Sequence, residues 1–111
     1  MTIREFAGTL MLALAGALAS VSAVEARAPW VMTTYRGTEL SLDDCRARAQ
    51  AAIRQAGFGE VQPSEWTVAG VRGDYTVVIG CAVESKLVYF ISAGPERDTN
   101  VRHVSDLARR F

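Results

Sequence analysis

The two cysteines of this 111-residue chain are the residues whose chemistry is easiest to anticipate. Cys45 and Cys81 lie too far apart for a C-x-x-C redox motif. In an oxidising compartment an even pair of cysteines forms a disulfide by default, and closing a loop of this length stabilises a fold by about 4 kcal/mol. Because residues 1–23 have the features of an export signal, the sequence predicts a Cys45–Cys81 disulfide.

His103 is the only histidine, and it is the next candidate for acid–base or metal chemistry. A metal site usually needs several ligands, and the two cysteines are expected to be bonded to each other. No G-x-S-x-G motif marks a serine nucleophile. Helical spacing puts His103 away from the apolar stripe of the last helix, so we expect a solvent-exposed side chain. The sequence therefore predicts no catalytic residue, no metal and no cofactor, and we do not expect an enzyme.

Two further motifs have simple structural explanations. Asp43 and Asp44 are adjacent on a predicted helix, where their side chains point in different directions and favour capping over paired acid–base chemistry. Arg72-Gly73-Asp74 matches an integrin-recognition tripeptide, but glycine and aspartate are also what a tight turn requires. We interpret both motifs as structural.

Residues 1–23 have the pattern of a secretory signal peptide. Arg4 gives the basic start, residues 10–19 the apolar core, and Val21-Ser22-Ala23 a cleavage site of the A-x-A type. The alternative is an uncleaved anchor, because residues 6–24 are uncharged and long enough to cross a bilayer. Small and hydroxyl-bearing residues within that stretch make it less apolar, which weakens the hypothesis of an anchor.

Cleavage is expected after Ala23, although Ala19 and Ala28 are alternatives. Pro29 would follow the bond after Ala28 directly and makes that site unfavourable. Residues 24–29 then form a flexible leader, and residues 30–111 a single domain. The signal predicts a bacterial protein that is periplasmic or secreted.

The charge balance limits the partners. The chain has 12 basic and 12 acidic residues, so its formal net charge is zero. A neutral chain has no general attraction for nucleic acids or anionic membranes. We therefore expect no nucleic-acid partner, and no membrane span once the signal is removed.

The pattern of residues 30–111 predicts an α+β fold. Residues 30–36 and 65–71 have strand character, and residues 75–94 form a β-hairpin with its break at residues 84–86. A helix follows the N-cap Ser41, with Cys45 on its apolar stripe, and ends at Gly57. Residues 59–64 are expected to be a connection, and a last helix starts near Asp98 or Thr99. The order β-α-β-β-β-α predicts a small, four-stranded, largely antiparallel sheet with two helices packed on one face.

Both faces of this sheet are unusually apolar, and this gives the functional hypothesis. If Cys81 faces the helices, the other face is expected to present an interface of Thr76, Val78, Ala82, Val88 and Phe90. Exposed apolar patches often mark interfaces. We therefore expect a non-catalytic module that binds another envelope or secreted protein, or itself as a homodimer. The other possibility is that the face assignment is shifted by one residue in a strand, or that the leader or a helix covers that face.

The alternative function is binding of a small apolar ligand between the sheet and the helices. Trp30, Trp66 and Tyr89 are the candidate lining residues, because aromatic side chains commonly line such sites.

Overall fold

The computed structural model describes residues 28–111. The signal peptide, its cleavage sites after Ala19 and Ala23, and the alternative anchor lie outside the described residues. The elements are β1 (Trp30–Gly37), α1 (Leu42–Gln55), β2 (Gly59–Pro63), β3 (Thr67–Arg72), β4 (Tyr75–Ala82), β5 (Leu87–Gly94) and α2 (Arg97–Arg110).

The strands form one sheet in the order β1-β5-β4-β3-β2, and every neighbouring pair is antiparallel. The predicted α+β class is confirmed, but the sheet has five strands rather than four. The added strand is β2, at residues predicted to be a connection. Pro63 fits there because β2 is an edge strand, whose outer side needs no backbone N–H donor.

β1 and β2 occupy opposite edges of the sheet, so α1 crosses one face between them. Both helices pack on that face. Cys45 of α1 is bonded to Cys81 of β4, and Asn100 of α2 accepts a hydrogen bond from Ser92 of β5. Cys81 and Ser92 point to the same side of the sheet. Ser92 pairs with the buried Val77 of β4, and Val77 and Cys81 are four residues apart in that strand, so they share one face.

α1 begins and ends as predicted. The Ser41 hydroxyl accepts a hydrogen bond from the backbone N–H of Asp44 at 3.2 Å, and Gly57 adopts a positive φ of 89° just after the helix. The buried stripe is made of Cys45 and small or branched residues, including Ala49, Ala52 and Ile53. Small side chains let α1 approach the sheet closely.

The predicted disulfide is confirmed, with the Cα atoms of Cys45 and Cys81 6.1 Å apart. It joins the first turn of α1 to the end of the central strand β4. Both cysteines are fully buried, so the bond lies in the core rather than on the surface.

α2 starts at Arg97 after the cap residue Glu96, slightly before the predicted cap at Asp98 or Thr99. Its apolar side buries Val104, Leu107 and the terminal Phe111 against the sheet. Within residues 28–111, neither helix is both long and apolar enough to cross a membrane.

Candidate functional site

The sheet face opposite the helices is the first candidate site. Thr76, Val78 and Ala82 of β4 lie on it, as predicted from their alternation with the buried Val77, Ile79 and Cys81. In β5 the residues that share this face are Leu87, Tyr89, Ile91 and Ala93, because they pair with Ala82, Gly80, Val78 and Thr76.

The placement of Val88 and Phe90 on this face is wrong. Both side chains are completely buried on the helix side, where they pair with Cys81 and Ile79. Each set of alternate residues in β5 is apolar, so alternation could not decide which set faces the helices. A short 3-10 turn at Val83–Ser85 fixes the register instead.

We call the corrected surface the open face. Among the described residues of β1, β5, β4 and β3 it has no charged side chain. Its members are Val31, Thr33, Tyr35, Leu87, Tyr89, Ile91, Ala93, Thr76, Val78, Gly80, Ala82, Thr67, Ala69 and Val71.

Exposure is greatest at the β1 end of the open face. Tyr35 is 70% exposed and Val31 is 57% exposed. Toward the centre the face is flatter, because the ring of Tyr89 lies directly over Gly80. A Cβ atom at Gly80 would come within 1.8 Å of Tyr89 Cζ. The ring therefore needs a glycine beneath it and covers the β4 backbone.

A cleft of about 260 Å³ lies beside this face, at the end of the sheet where β4 turns into β5. Trp66 and Tyr89 line it together with Ala82 and Val83. Two of the three predicted ligand-lining residues therefore meet, but they do so beside the open face and not between the sheet and the helices, where the sequence predicts the ligand to bind. Trp30 does not join them, because it pairs with Gly94 at the opposite end of β5.

The second candidate site is a buried polar network around His103. This side chain is only 7% exposed, so the expectation of a surface histidine is wrong. Arg72 donates to His103 Nε2 at 3.0 Å, and His103 Nδ1 lies 3.2 Å from the Ser92 hydroxyl. Ser92 donates in turn to Asn100 Oδ1 at 2.8 Å.

These contacts determine which nitrogen of the neutral His103 ring carries the proton. Since a guanidinium is only a donor, Nε2 must accept and Nδ1 must carry the proton that Ser92 accepts. The amide of Asn100 completes the network by donating to the backbone carbonyls of Trp30 at 3.1 Å and Gly94 at 3.2 Å. The network thus joins β3, α2, β5 and β1.

The surroundings favour a neutral imidazole. Burial lowers the pKa of His103, and the positive charges of Arg72 and Arg102 lower it further, while Asp106 opposes them. The edges of the Phe58 and Tyr75 rings meet the imidazole at centroid distances of 5.0 Å. Ser92 is completely buried, so its contact with His103 does not present a nucleophile to a substrate.

A third feature, the arginine cleft, lies above this network. It has a volume of about 490 Å³ and is lined by Arg72, Thr99, Val101, Arg102, His103, Ser105, Asp106 and Arg109. Among its cations, Arg72 is anchored to the core of the domain. It donates to the Ala56 carbonyl at 2.8 Å, and its guanidinium carbon lies 4.6 Å from the Phe58 ring centre.

No local sequence pattern indicates this cleft or the network. Their members come from β3, β5 and α2, and Arg72 and His103 are separated by 31 residues. The feature that identifies the network is the burial of three polar residues, Ser92, Asn100 and His103, which are joined by hydrogen bonds. This burial is visible only in the structure.

The fold and these sites define a small, disulfide-linked α+β domain with an uncharged open sheet face. No model of a known protein family matches the chain, and no curated protein is significantly similar to it. Within residues 28–111, no group of three or more His, Cys, Asp or Glu side chains is arranged to hold a metal ion.

Proposed function

We propose that this chain is a small exported, non-catalytic protein that associates through the open face, with a second copy of itself as the best-fitting partner. The observation that carries the proposal is the chemical uniformity of this face. Strands β1, β5, β4 and β3 contribute only apolar, threonine, tyrosine and glycine residues to it, whereas an antiparallel sheet facing water normally alternates with polar residues.

The size of the face suits an interface. Four strands about 4.8 Å apart and up to eight residues long cover a flat area on the order of 500 Å². Side-chain relief raises the accessible area above this value, toward the roughly 800 Å² that each partner buries in a standard interface.

The absence of charge among these residues favours a second copy over a strongly charged partner. Two identical charged patches repel each other in a two-fold interface, but two uncharged faces do not. Face-to-face packing of two such sheets gives a sandwich with side chains interdigitating across about 10 Å. Another uncharged envelope protein could occupy the same surface.

The proposed location is periplasmic or secreted. Two observations support it: the signal-like sequence of residues 1–23, and the Cys45–Cys81 disulfide, which is compatible with an oxidising extracellular or periplasmic compartment.

The test is the oligomeric state of the protein produced from the full-length chain and purified from the envelope or medium. Light scattering coupled to size-exclusion chromatography is expected to give the mass of a dimer at micromolar concentration. A strictly monomeric protein that also captures no envelope protein would remove the proposal.

The cleft beside Trp66 favours a second candidate function, binding of a small apolar ligand. Its volume of about 260 Å³ lies just below the range typical of ligand sites, so the ligand would be small. Tryptophan fluorescence during a ligand screen tests this candidate. A saturable change that survives Trp30→Phe and disappears in Trp66→Phe supports it, and no saturable change with any ligand counts against it.

A further inference from the structure

The arginine cleft lies on the helix side of the molecule, away from the open face, and has its own chemistry. Three guanidinium groups, those of Arg72, Arg102 and Arg109, line one concavity. The hydroxyl of Ser105 lines the same cleft and is exposed. Guanidinium groups and hydroxyls are the donors that bind oxyanions in proteins.

Arg72 is held in place before any ligand arrives. Its guanidinium uses two of five N–H donors, one on Ala56 and one on His103, and it stacks over Phe58. A side chain fixed in this way loses little conformational freedom on binding, so the donors that face the cleft are preorganised.

The charges in the cleft are only partly compensated. Asp106 forms ion pairs with Arg109 and Arg110. Among residues 28–111, Arg72 and Arg102 have no ion pair with an aspartate or glutamate. Both arginines line the same cleft as His103, and Arg72 donates a hydrogen bond to the imidazole. Since the imidazole is neutral and adds no charge, the cleft presents two uncompensated positive charges.

We propose that the arginine cleft binds a dianionic phosphate group, with Arg72 and Arg102 as its charged ligands. Two cations, one of them held in place by the fold, match two negative charges, and the forked donors of a guanidinium match the oxygen geometry of phosphate. The neutral imidazole beneath Arg72 leaves the guanidinium charge for the ligand. The shared chemistry is that of inorganic phosphate and of phosphate monoesters, including the head group of phosphatidic acid.

The experiment is an NMR titration of the ¹⁵N-labelled protein, produced from the full-length chain, with inorganic phosphate at constant ionic strength. Saturable shifts are expected in the amides of α2 around Val101–Ser105 and in the His103 ring. Arg102→Ala is the test variant, because its side chain is exposed and its loss should leave the fold intact. It is expected to weaken binding about tenfold or more, as loss of a charged hydrogen-bond donor does.

Arg54→Ala is the matched control. Arg54 is an exposed arginine of α1 that contacts Gln50 and does not line the cleft, so its removal subtracts the same charge elsewhere. Its affinity for phosphate is expected to change less than twofold. Equal weakening in both variants would show general charge attraction and overturn the site.

A second arm separates the two sources of phosphate. Phosphatidylcholine vesicles with and without phosphatidic acid are sedimented with the protein and with each variant. Saturable binding of free phosphate that depends on Arg102 supports a soluble ligand. Binding only to vesicles with phosphatidic acid, again dependent on Arg102, supports a lipid head group. If neither probe binds, the proposal is wrong, whatever the oligomeric state of the protein.

Discussion

Arg72 Nη2 donates to His103 Nε2 across 3.0 Å, which links the end of β3 to the middle of α2. The guanidinium is a cation and the imidazole is a neutral base. The imidazole donates to the Ser92 hydroxyl through Nδ1, and that hydroxyl donates to Asn100. The contact makes the protonation state of one histidine part of the fold. It also leaves Arg72 charged at the edge of the arginine cleft.

The stability of the domain should fall on mild acidification. In the folded chain the pKa of His103 lies below its ordinary value of 6.5, because of burial and the charges of Arg72 and Arg102. Between the lowered pKa and pH 6.5, the unfolded chain therefore binds more protons than the folded chain. The free energy of unfolding is expected to be fully present above pH 6.5 and to decrease as the pH falls toward the lowered pKa. Urea unfolding at a series of pH values measures it.

The control for this experiment is His103→Gln, which removes the only titrating imidazole of the chain. Its stability should change little with pH across the same window, before carboxylates begin to titrate. Parallel pH profiles for the two proteins would contradict the assignment of the effect to His103.

Asn100→Ala is expected to destabilise the protein by about 3 kcal/mol, because it leaves buried polar partners without hydrogen bonds. Asn100 is completely buried and bonds to Ser92 and to the carbonyls of Trp30 and Gly94. The midpoint of chemical denaturation measures the loss. Arg97→Ala, at an exposed position of the same helix, should change the stability by less than about 0.5 kcal/mol.

Replacing both Cys45 and Cys81 with alanine should lower the free energy of unfolding by about 4 kcal/mol, since the unfolded chain regains the freedom of the closed loop. Urea unfolding of oxidised wild type and the double variant gives the difference. Mass spectrometry under non-reducing conditions must also find no free thiol in the wild type. Equal midpoints, or two free thiols, would contradict the bond's role.

Gly70→Ala should destabilise by about 1–3 kcal/mol through overpacking. Its added methyl group would lie 2.5 Å from Ile53 Cγ2 and 3.1 Å from Phe58 Cβ, both in the core under α1. Gly37→Ala is the matched control, because the nearest atom to its new Cβ is 3.7 Å away. Thermal unfolding compares the two, and equal melting temperatures would mean that α1 lies farther from β3 than described.

Tyr35→Lys and Val31→Lys should shift a dimer toward monomer, because each places a charge on the open face. Both side chains are more than half exposed, so the fold itself should tolerate the change. Ala51→Lys, on the exposed side of α1, introduces the same charge away from the face and should leave the mass unchanged. Light scattering measures the mass of all three variants. Dimers that persist in both open-face variants would place the interface elsewhere.

Local sequence patterns predict the helix α1, its caps and its disulfide. The stripe and caps of α1 repeat within a few residues, and the same stripe points Cys45 at the strand that carries Cys81. Local patterns do not indicate β2, because its pairing with β3 shifts register between Gly59 and Gln62 and Glu60 adopts a positive φ, which breaks the alternation of a regular strand.

The candidate sites were harder to predict because they depend on distant residues. Hydrophobic periodicity describes only the apolar side of α2, so it could not indicate that His103 is buried by polar partners from β3 and β5. Val88 and Phe90 show the other difficulty. When both sides of a strand are apolar, the facing set is decided by the preceding turn and by the packing of helices, neither of which leaves a mark on the alternation.

The position of the disulfide has a consequence for the timing of folding. It lies wholly inside the core, between α1 and the central strand, so the stability it adds is available only after oxidation. In a reducing compartment the same chain must rely on its small core and on the Ser92–Asn100–His103 contacts. Under the proposed export, that difference would delay full consolidation of the domain until the chain reaches an oxidising compartment.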